Sequence, residues 1–378
     1  MVDFQAALNP TPPTPEDEGV KENLSGSSDP TSAVATSTDR RPALRFQLDR
    51  TPPEGWDRFA LSSGRYFFST VRWTAAVAAG FGGEVLFATL MDGDEIVVAM
   101  IGTERKTIGF RMLQSFFPYG GLIGDVSRGD ELLDHLLPAL KERGYHSLVV
   151  EDPFCGLPER HVAQPVYGRR HVRPMEPREG PVDEAAMFRT YHKSVKKNVR
   201  RAREAGLVVT EAAAGSDVDD IYEMYRSAME RNHAPTWYPK DLFVELMHRF
   251  VPTGEVRYLV VKHDGHMIGM MAMLYSVDGA HYWMGGSSEE GLKLRVNDLL
   301  FHHAICLSAE RGDRFLDLMG TGVEDTSLAR FKEKWGGVSE EVLGYHLDLV
   351  PFRAKLLRLA YRIVRKGPGA WLVRKIIR

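Results

Sequence analysis

Residues 84–100 read Glu84-Val-Leu-Phe-Ala-Thr-Leu-Met-Asp-Gly-Asp-Glu-Ile-Val-Val-Ala-Met100, two apolar runs that meet at an Asp-Gly pair. Residues 257–273 repeat this arrangement as Arg257-Tyr-Leu-Val-Val-Lys-His-Asp-Gly-His-Met-Ile-Gly-Met-Met-Ala-Met273. An Asp-Gly pair between apolar runs is typical of a tight β-hairpin, because both residues tolerate the positive φ that the turn requires. The chain therefore carries two predicted hairpins of the same kind.

Two further markers follow each hairpin in the same order. A glycine pair comes first, at residues 120–121 and 285–286, and a helix that ends in Glu-Arg-Gly comes next, at residues 142–144 and 310–312. The three pairs of markers are offset by 172, 165 and 168 residues. Markers that keep one order and nearly one spacing indicate a duplication. We predict an α/β chain with mixed sheets, built from two copies of one unit at residues 43–178 and 183–350.

The composition excludes several classes of protein. With 378 residues, of which 43% are hydrophobic and 26% charged, the chain has enough apolar material for two domain cores. Two cysteines are too few for a disulfide framework, and no Cys-x-x-Cys pair is present to hold zinc. No apolar run reaches about 18 residues, and no secretory signal is visible. We therefore expect a cytoplasmic protein that binds no metal.

The two ends of the chain carry opposite charge. Residues 1–42 hold seven acidic and three basic side chains among many Pro, Ser and Thr, a composition that predicts disorder. Residues 351–378 hold nine Lys or Arg and no acid, and they sort into an apolar and a basic side on a helical wheel. One interpretation of this tail is a helix on an anionic membrane surface, where each basic residue contributes about 1 kcal/mol. The alternative is a helix packed on the body with a solvated basic face.

A further cluster of positive charge opens the second unit. A helix is predicted from Phe188 to Gly206, and six of its cations fall within an arc of about 160°. These cations are Lys193, Lys196, Lys197, Arg200, Arg201 and Arg203. Their face suits a phosphate-bearing partner, such as a pyrophosphate-linked sugar precursor, coenzyme A or tRNA. A solvated face without a ligand is the alternative.

Two stretches late in the second unit carry candidate chemistry. Asn297 is predicted to cap a helix beside Lys293 and Arg295, and a helix N-terminus flanked by cations is a common phosphate site. An ordinary cap without a ligand is the alternative. Asp317 is a carboxylate in an apolar strand, where burial would raise its pKa towards that of a general base. A structural anchor for an arginine or a backbone amide is an equal alternative.

Together these pieces resemble the FemAB-like branch of the GNAT acyltransferase superfamily, in which two GNAT units are fused in one chain. The likeness covers about residues 44–348 and depends on the order and spacing of its motifs. The motifs are Phe67-Phe-Ser-Thr-Val-Arg-Trp73, Leu113-Gln-Ser-Phe-Phe-Pro-Tyr-Gly-Gly121, Lys197-Asn-Val-Arg-Arg-Ala202, Gly285-Gly-Ser287, Asn297-Asp-Leu-Leu300, Phe315-Leu-Asp317 and Phe331-Lys-Glu-Lys-Trp-Gly336. The resemblance implies transfer of an acyl or aminoacyl group to an amine without a covalent enzyme intermediate, with the site in the second unit or between the two.

The resemblance also implies roles for single residues. Lys332 would stabilise charge on the transferring carbonyl or the leaving group, and Asp317 matches the acid of the family's late strand. Donor binding is expected of Lys293, Arg295, Asn297 and Phe331, and acceptor binding of Arg200, Lys197, Tyr119 and Trp237. The pyrophosphate loop of simple coenzyme A-binding relatives is missing at residues 290–295. The donor is therefore left open between an acyl thioester, such as acyl-coenzyme A, and an aminoacyl-tRNA, which some relatives use to build peptidoglycan cross-bridges.

The function expected from the sequence is N-acyl transfer to an amine on a cell-envelope or peptidoglycan precursor. The basic tail would hold the enzyme on the inner face of the membrane. One alternative is a thioester-dependent acyltransferase that acts on a small soluble metabolite. A second alternative, from a different class, is a non-catalytic GNAT-fold protein that binds lipid or RNA.

Overall fold

A computed structural model describes residues 44–353, apart from 65–66, 108, 116, 155, 159, 161–165, 177–181, 214, 216, 233–235 and 323–324. The predicted disorder of residues 1–42 and the predicted helical tail beyond Arg353 lie outside the described residues. The strands are β1 (Arg45–Asp49), β2 (Val85–Asp92), β3 (Glu95–Thr107), β4 (Phe110–Ser115), β5 (Leu122–Gly124), β6 (Ser147–Asp152), β7 (Val166–Pro174), β8 (Val209–Glu211), β9 (Val256–His263), β10 (His266–Tyr275), β11 (Gly279–Ser287), β12 (Phe315–Gly322) and β13 (Val338–Asp348). The helices are α1 (Trp56–Ser62), α2 (Val71–Phe81), α3 (Gly129–Glu142), α4 (Glu184–Thr190), α5 (Lys193–Glu204), α6 (Val218–Arg231), α7 (Lys240–Phe250), α8 (Glu289–Leu294), α9 (Val296–Glu310) and α10 (Thr326–Glu333).

The predicted duplication is confirmed by the order of these elements. The hairpin of β2 and β3 closes around Asp92-Gly93, and the hairpin of β9 and β10 closes in the same way around Asp264-Gly265. In each half a long helix then leads into a buried strand, α3 into β6 and α9 into β12. The boundaries of the two units at residues 178 and 183 stay a prediction.

One mixed sheet joins the two halves, because one strand of each half pairs with strands of the other half. Its order is β1-β2-β3-β4-β6-β13-β7-β12-β11-β10-β9-β8, with β5 paired to β3. β7 comes from the first half but pairs antiparallel with β12, and β13 comes from the second half but pairs antiparallel with β6. The junction between the halves is therefore continuous backbone hydrogen bonding.

The second half of the sheet has a core on each face. Alternate residues of β10 belong to the two cores, with Met270 and Ala272 in one and Met271 and Met273 in the other. The core that contains Met270 and Ala272 is called the aromatic core, because α2, α6 and α7 supply Trp73, Tyr225 and Phe243 to it. The core that contains Met271 and Met273 lies under α5, α9 and α10 and is called the α9 core. No helix within the described ranges is long and apolar enough to cross a membrane.

Two predicted helix boundaries are wrong. The helix predicted from Phe188 to Gly206 is broken into α4 and α5, because Tyr191 takes an extended conformation and buries its ring against Trp335 and His302. Asn297 is not an N-cap: α9 begins at Val296, and Arg295 occupies the cap position with a φ of 67°. A positive φ at a residue other than glycine, asparagine or aspartate is uncommon, so the sequence carries no signal for this start.

Candidate active site

The candidate site lies where two parallel strands separate. β11 and β12 pair only from Gly279 with Phe315 to His281 with Asp317. Beyond these residues β11 continues to pair with β10, and β12 continues to pair with β7 on its other side. The two strands thus open a cleft between residues 282–287 and residues 318–322.

Met319 lies at the opening of this cleft in a strained conformation. Its φ of 65° is in the left-handed region, which is unfavourable for a residue with a side chain. The pairing of β12 with β7 also shifts register between Asp317 and Gly320. The Asp317 carboxylate accepts a hydrogen bond from the Met319 N–H at 2.7 Å, and the Lys332 ammonium donates one to the Met319 carbonyl at 2.9 Å. The two predicted catalytic residues therefore hold opposite ends of one strained residue.

The ammonium of Lys332 is fully engaged by the chain. The side chain is buried, with 3% of its surface exposed. Its Nζ donates to the carbonyls of Met319 at 2.9 Å and Gly320 at 2.7 Å, and to the hydroxyl of Thr321 at 2.9 Å. Because an ammonium has three protons, each of them has an acceptor. The cation is thus fixed in one position against β12.

Burial lowers the pKa of Lys332 to about 8 from an ordinary value of 10.5, while the charges of Asp317, Asp325 and Glu151 act in the opposite direction. Between pH 8 and pH 10.5 the side chain of Lys332 is therefore mostly protonated in the unfolded chain and mostly deprotonated in the folded chain. The contribution of Lys332 to the free energy of unfolding therefore rises with pH above 8. We expect the wild type to gain stability relative to Lys332→Met between pH 8 and about pH 9.5, as measured by denaturant unfolding of both proteins. A constant difference across this range would contradict the lowered pKa.

Asp317 lies on the other face of the sheet from Lys332. Its strand neighbours Leu316 and Leu318 belong to the α9 core, in which α10 places Phe331 and Trp335. The Asp317 carboxylate instead points towards the aromatic core. There it accepts a hydrogen bond at 2.9 Å from the hydroxyl of Tyr119, a residue of the first half. The two predicted catalytic side chains are therefore separated by the backbone of β12.

The expectation that burial raises the pKa of Asp317 is wrong. Burial acts in that direction, but the nearby ring of His281, the charge of Arg170 and the Met319 N–H together lower the pKa of Asp317. The nearest nitrogen atoms of His281 and Arg170 lie 3.5 Å and 3.7 Å from the carboxylate. A carboxylate with a lowered pKa is a weak proton acceptor at neutral pH. These contacts match the alternative interpretation, a structural anchor for an arginine and a backbone amide.

The two predicted acceptor-binding aromatic residues lie at the aromatic core. Tyr119 is buried, and its hydroxyl joins the first half of the chain to Asp317. Burial and the negative charge of Asp317 raise its pKa well above the ordinary value. A cavity of about 10 Å³ beside Tyr119, lined also by Trp73 and Phe117, holds one water molecule at most. Trp237 is half-buried against the same core, and its backbone N–H donates to the hydroxyl of Tyr225 at 3.0 Å.

The structure brings predicted donor and acceptor cations together on one surface. The Asn198 side chain of α5 donates to Asp298 of α9 at 3.2 Å, which joins the two helices. Burial raises the pKa of Asp298, whereas this bond and the nearby charges of Arg295 and Lys334 oppose the rise. Exposed Arg295 and Lys334 thus lie near Asp298, and exposed Lys197 and Arg201 lie beside Asn198 on α5. We call Lys197, Arg201, Lys293, Arg295 and Lys334 the positive surface.

The remaining predicted residues lie next to this surface. Arg200 is exposed further round α5, with its guanidinium 5.7 Å from the ring of Phe188. Asn297 is half-buried in the first turn of α9. Phe331 precedes Lys332 on α10 and packs its ring 5.1 Å from that of Phe301. The residues that the sequence predicts to bind the donor therefore lie at the N-terminal end of α9 and on the neighbouring part of α10.

Four residues of the site were missed from the sequence. His281 and Arg170 approach Asp317, and Thr321 and His171 lie next to Lys332. They come from β7, β11 and β12, which meet only in the folded sheet. Within the described ranges no group of three or more His, Cys, Asp or Glu side chains converges in a way that could hold a metal ion.

Comparison with known proteins identifies the type of domain that carries these residues. Residues 189–333, which include Asp317, Lys332 and most of the positive surface, match the family model described as an acetyltransferase (GNAT) domain. The second half of the chain therefore contains a GNAT acetyltransferase domain, as the sequence predicted. The search of curated proteins found no match.

Similarity to solved structures extends over both halves of the chain. The crystal structure of FemX is 13% identical, covers 82% of this chain and 100% of its own, and superimposes with a TM-score of 0.58. The C-terminal domain of a putative lysylphosphatidylglycerol synthetase from Agrobacterium fabrum is 12% identical, covers 82% of this chain and 97% of its own, and has a TM-score of 0.51. At these identities the likeness shows a shared fold.

Proposed function

We propose that this acyltransferase moves an acyl or aminoacyl group from an activated donor to an amine on a phosphate-bearing cell-envelope precursor. The amine nitrogen attacks the carbonyl carbon of the donor, and a new C–N bond replaces the bond to sulfur in a thioester or to ribose oxygen in an aminoacyl-tRNA. The amine loses a proton and the leaving group gains one. The observation that carries the proposal is the buried Lys332 ammonium beside the cleft of β11 and β12.

Lys332 supplies the charge that this reaction needs. Negative charge develops on the carbonyl oxygen and then on the leaving group during transfer. A cation that is fixed before the substrate binds, in a site that excludes water, stabilises such charge strongly. The bonds to Met319, Gly320 and Thr321 meet this condition, because they hold the ammonium in one position.

The positive surface supports a substrate that carries phosphate. None of its five cations takes part in an ion pair with another described residue. The positive surface lies at the N-terminus of α9, where no side chain caps the helix, and the helix dipole adds to the positive potential there. Both candidate donors carry phosphate, and so does a pyrophosphate-linked acceptor. The name of the Agrobacterium neighbour also refers to a lipid that carries both an amino acid and a phosphate.

Charge reversal on the positive surface is expected to abolish donor binding. The double variant Lys293→Glu/Arg295→Glu changes the local charge by four units and leaves the buried contacts of α9 in place. Thermal unfolding of the full chain is measured with acetyl-coenzyme A and, separately, with alanyl-tRNA. A donor present at about 100 times its dissociation constant adds about 2.7 kcal/mol to the free energy of unfolding of the wild type. We expect this gain to vanish in the variant.

A matched control separates the effect of charge at the positive surface from the effect of a change in the net charge of the protein. Arg58→Glu/Lys141→Glu makes the same change of charge on exposed residues of α1 and α3 in the first half. It is expected to keep the full protection by the donor. Protection by the thioester alone would assign an acyl thioester as the donor, and protection by charged tRNA alone would assign cross-bridge chemistry. Equal protection of both double variants would overturn the placement of the donor at the positive surface.

A further inference from the structure

A line of three buried polar side chains runs beneath α10. The Lys332 Nζ lies 2.9 Å from the Thr321 Oγ1, and the Thr321 Oγ1 lies 3.3 Å from the His171 Nδ1. All three residues are almost completely inaccessible to solvent. Lys332 comes from α10, Thr321 from β12 and His171 from β7, so the line links three elements on the β7 side of β12.

The direction of each hydrogen bond follows from the chemistry of the groups. An ammonium can only donate, so the Thr321 oxygen accepts from Lys332 and its own hydrogen is left to donate to His171. The Thr321 hydrogen can then donate to the His171 Nδ1 when the proton of the neutral ring is on Nε2. Burial lowers the pKa of His171, and the charge of Lys332 lowers it further. A neutral histidine and a charged lysine thus share one hydroxyl at neutral pH.

The register shift in β12 brings these groups together. Val172 pairs with Asp317 and Arg170 pairs with Gly320, so His171 lies opposite the extra residue in β12. The carbonyls of Met319 and Gly320 then converge on the ammonium, and the next side chain, Thr321, reaches both Lys332 and His171. The hydroxyl of Thr321 is the one acceptor of the three that belongs to a side chain.

We propose that Thr321 and His171 are positioning residues for Lys332. Thr321 supplies the side-chain acceptor of the ammonium, and His171 keeps the Thr321 hydroxyl turned so that its oxygen faces Lys332. The effect on turnover rests on the proposed function, in which Lys332 stabilises charge during transfer. The hold on the Lys332 ammonium does not depend on any substrate and can be measured without one.

The test is an NMR titration of Lys332 in the full chain. Lysine is labelled with ¹³C at Cε, and the signal of Lys332 is assigned by its loss in Lys332→Arg. We expect a midpoint of about 8 in the wild type. Thr321→Val replaces the hydroxyl by a methyl group of similar size, removes a bond that favours the charged form, and is expected to lower the midpoint by about one pH unit. Thr321→Ser keeps the acceptor and should keep the wild-type midpoint.

The His171 variants form a second and independent pair. His171→Leu removes the acceptor for the Thr321 hydroxyl and is expected to lower the midpoint by less than Thr321→Val does. His171→Asn offers its Oδ1 close to the position of Nδ1 and should restore the midpoint. If Thr321→Val does not fold, as judged by its unfolding transition, this pair decides the matter. An unchanged midpoint in Thr321→Val, or in His171→Leu when that pair decides, overturns the proposal.

A control and a kinetic measurement complete the test. Thr326→Val makes the same substitution at the exposed first residue of α10 and should leave the midpoint of Lys332 unchanged. With a working donor and acceptor, Thr321→Val is expected to move the alkaline limb of the kcat profile to lower pH with little change in KM. A role in structure alone would not move this limb. If no substrate turns over, the proposed function fails, but the NMR titration still shows whether Thr321 and His171 position the Lys332 ammonium.

Discussion

Replacing Lys332 by methionine is expected to lower turnover by about 10²- to 10³-fold, the usual effect of removing one preorganised charge-stabilising group. Methionine matches the apolar stem of lysine in length and fills the same space, so the change isolates the ammonium. The charge is also hard to replace, because Lys332 is the cation that donates to Met319, Gly320 and Thr321 in the wall of the cleft. Steady-state kinetics with an established donor and acceptor gives the measurement.

The control for this prediction is Lys141→Met, which removes one exposed ammonium from α3 in the first half and should leave kcat unchanged. Circular dichroism and the unfolding transition show whether each variant is folded. A folded Lys332→Met protein that retains a tenth or more of the wild-type kcat would contradict the role given to Lys332.

Replacing Asp317 by alanine is expected to cost about 3–5 kcal/mol of the free energy of unfolding, as breaking a buried charge network does. The carboxylate is fully buried, and its loss leaves His281, Arg170 and the hydroxyl of Tyr119 without this partner. It also frees the N–H of Met319, which holds a left-handed φ at the opening of the cleft. Because Tyr119 belongs to the first half, the change weakens the junction between the halves as well.

Denaturant unfolding of Asp317→Ala and of a control measures this effect. The control, Asp278→Ala, removes an exposed carboxylate at the tip of the hairpin between β10 and β11, where surface substitutions usually change stability by less than about 0.5 kcal/mol. A cost of less than about 1 kcal/mol for Asp317→Ala would be too small for a buried network and would refute the anchoring role.

Local sequence signals predicted the parts of the fold that depend on neighbouring residues. The two Asp-Gly turns are determined by the residues at the turn, so both hairpins were predicted at their positions. The buried side of α5, with Val195, Val199 and Ala202, follows from helical spacing. The exchange of β7 and β13 has no such signal, because strands that pair over more than 140 residues of sequence leave no local pattern.

The arrangement of the candidate site could not be predicted from the sequence. Asp317 stands out as a carboxylate in an apolar strand, and Lys332 is assigned a role only by the resemblance to the FemAB-like branch, but their positions on opposite faces of β12 depend on the register shift at Met319. Burial alone predicts a raised pKa for Asp317, whereas His281 and Arg170, which lower this pKa, approach from other strands. The start of α9 has no signal in the sequence, because Arg295 adopts a positive φ that its residue type does not suggest.

Direct detection of the transferred group tests whether this chain joins an acyl or aminoacyl group to an amine. The wild type and Lys332→Met are incubated with ¹³C-labelled acetyl-coenzyme A or alanyl-tRNA and with a pyrophosphate-linked sugar–peptide that carries a free amine, and the products are analysed by mass spectrometry. We expect the wild type to produce an acceptor that is heavier by the labelled group, with the label on nitrogen, and Lys332→Met to produce almost none. Donor binding by the wild type without any labelled amide, or equal product from both proteins, would refute the proposed acyl transfer.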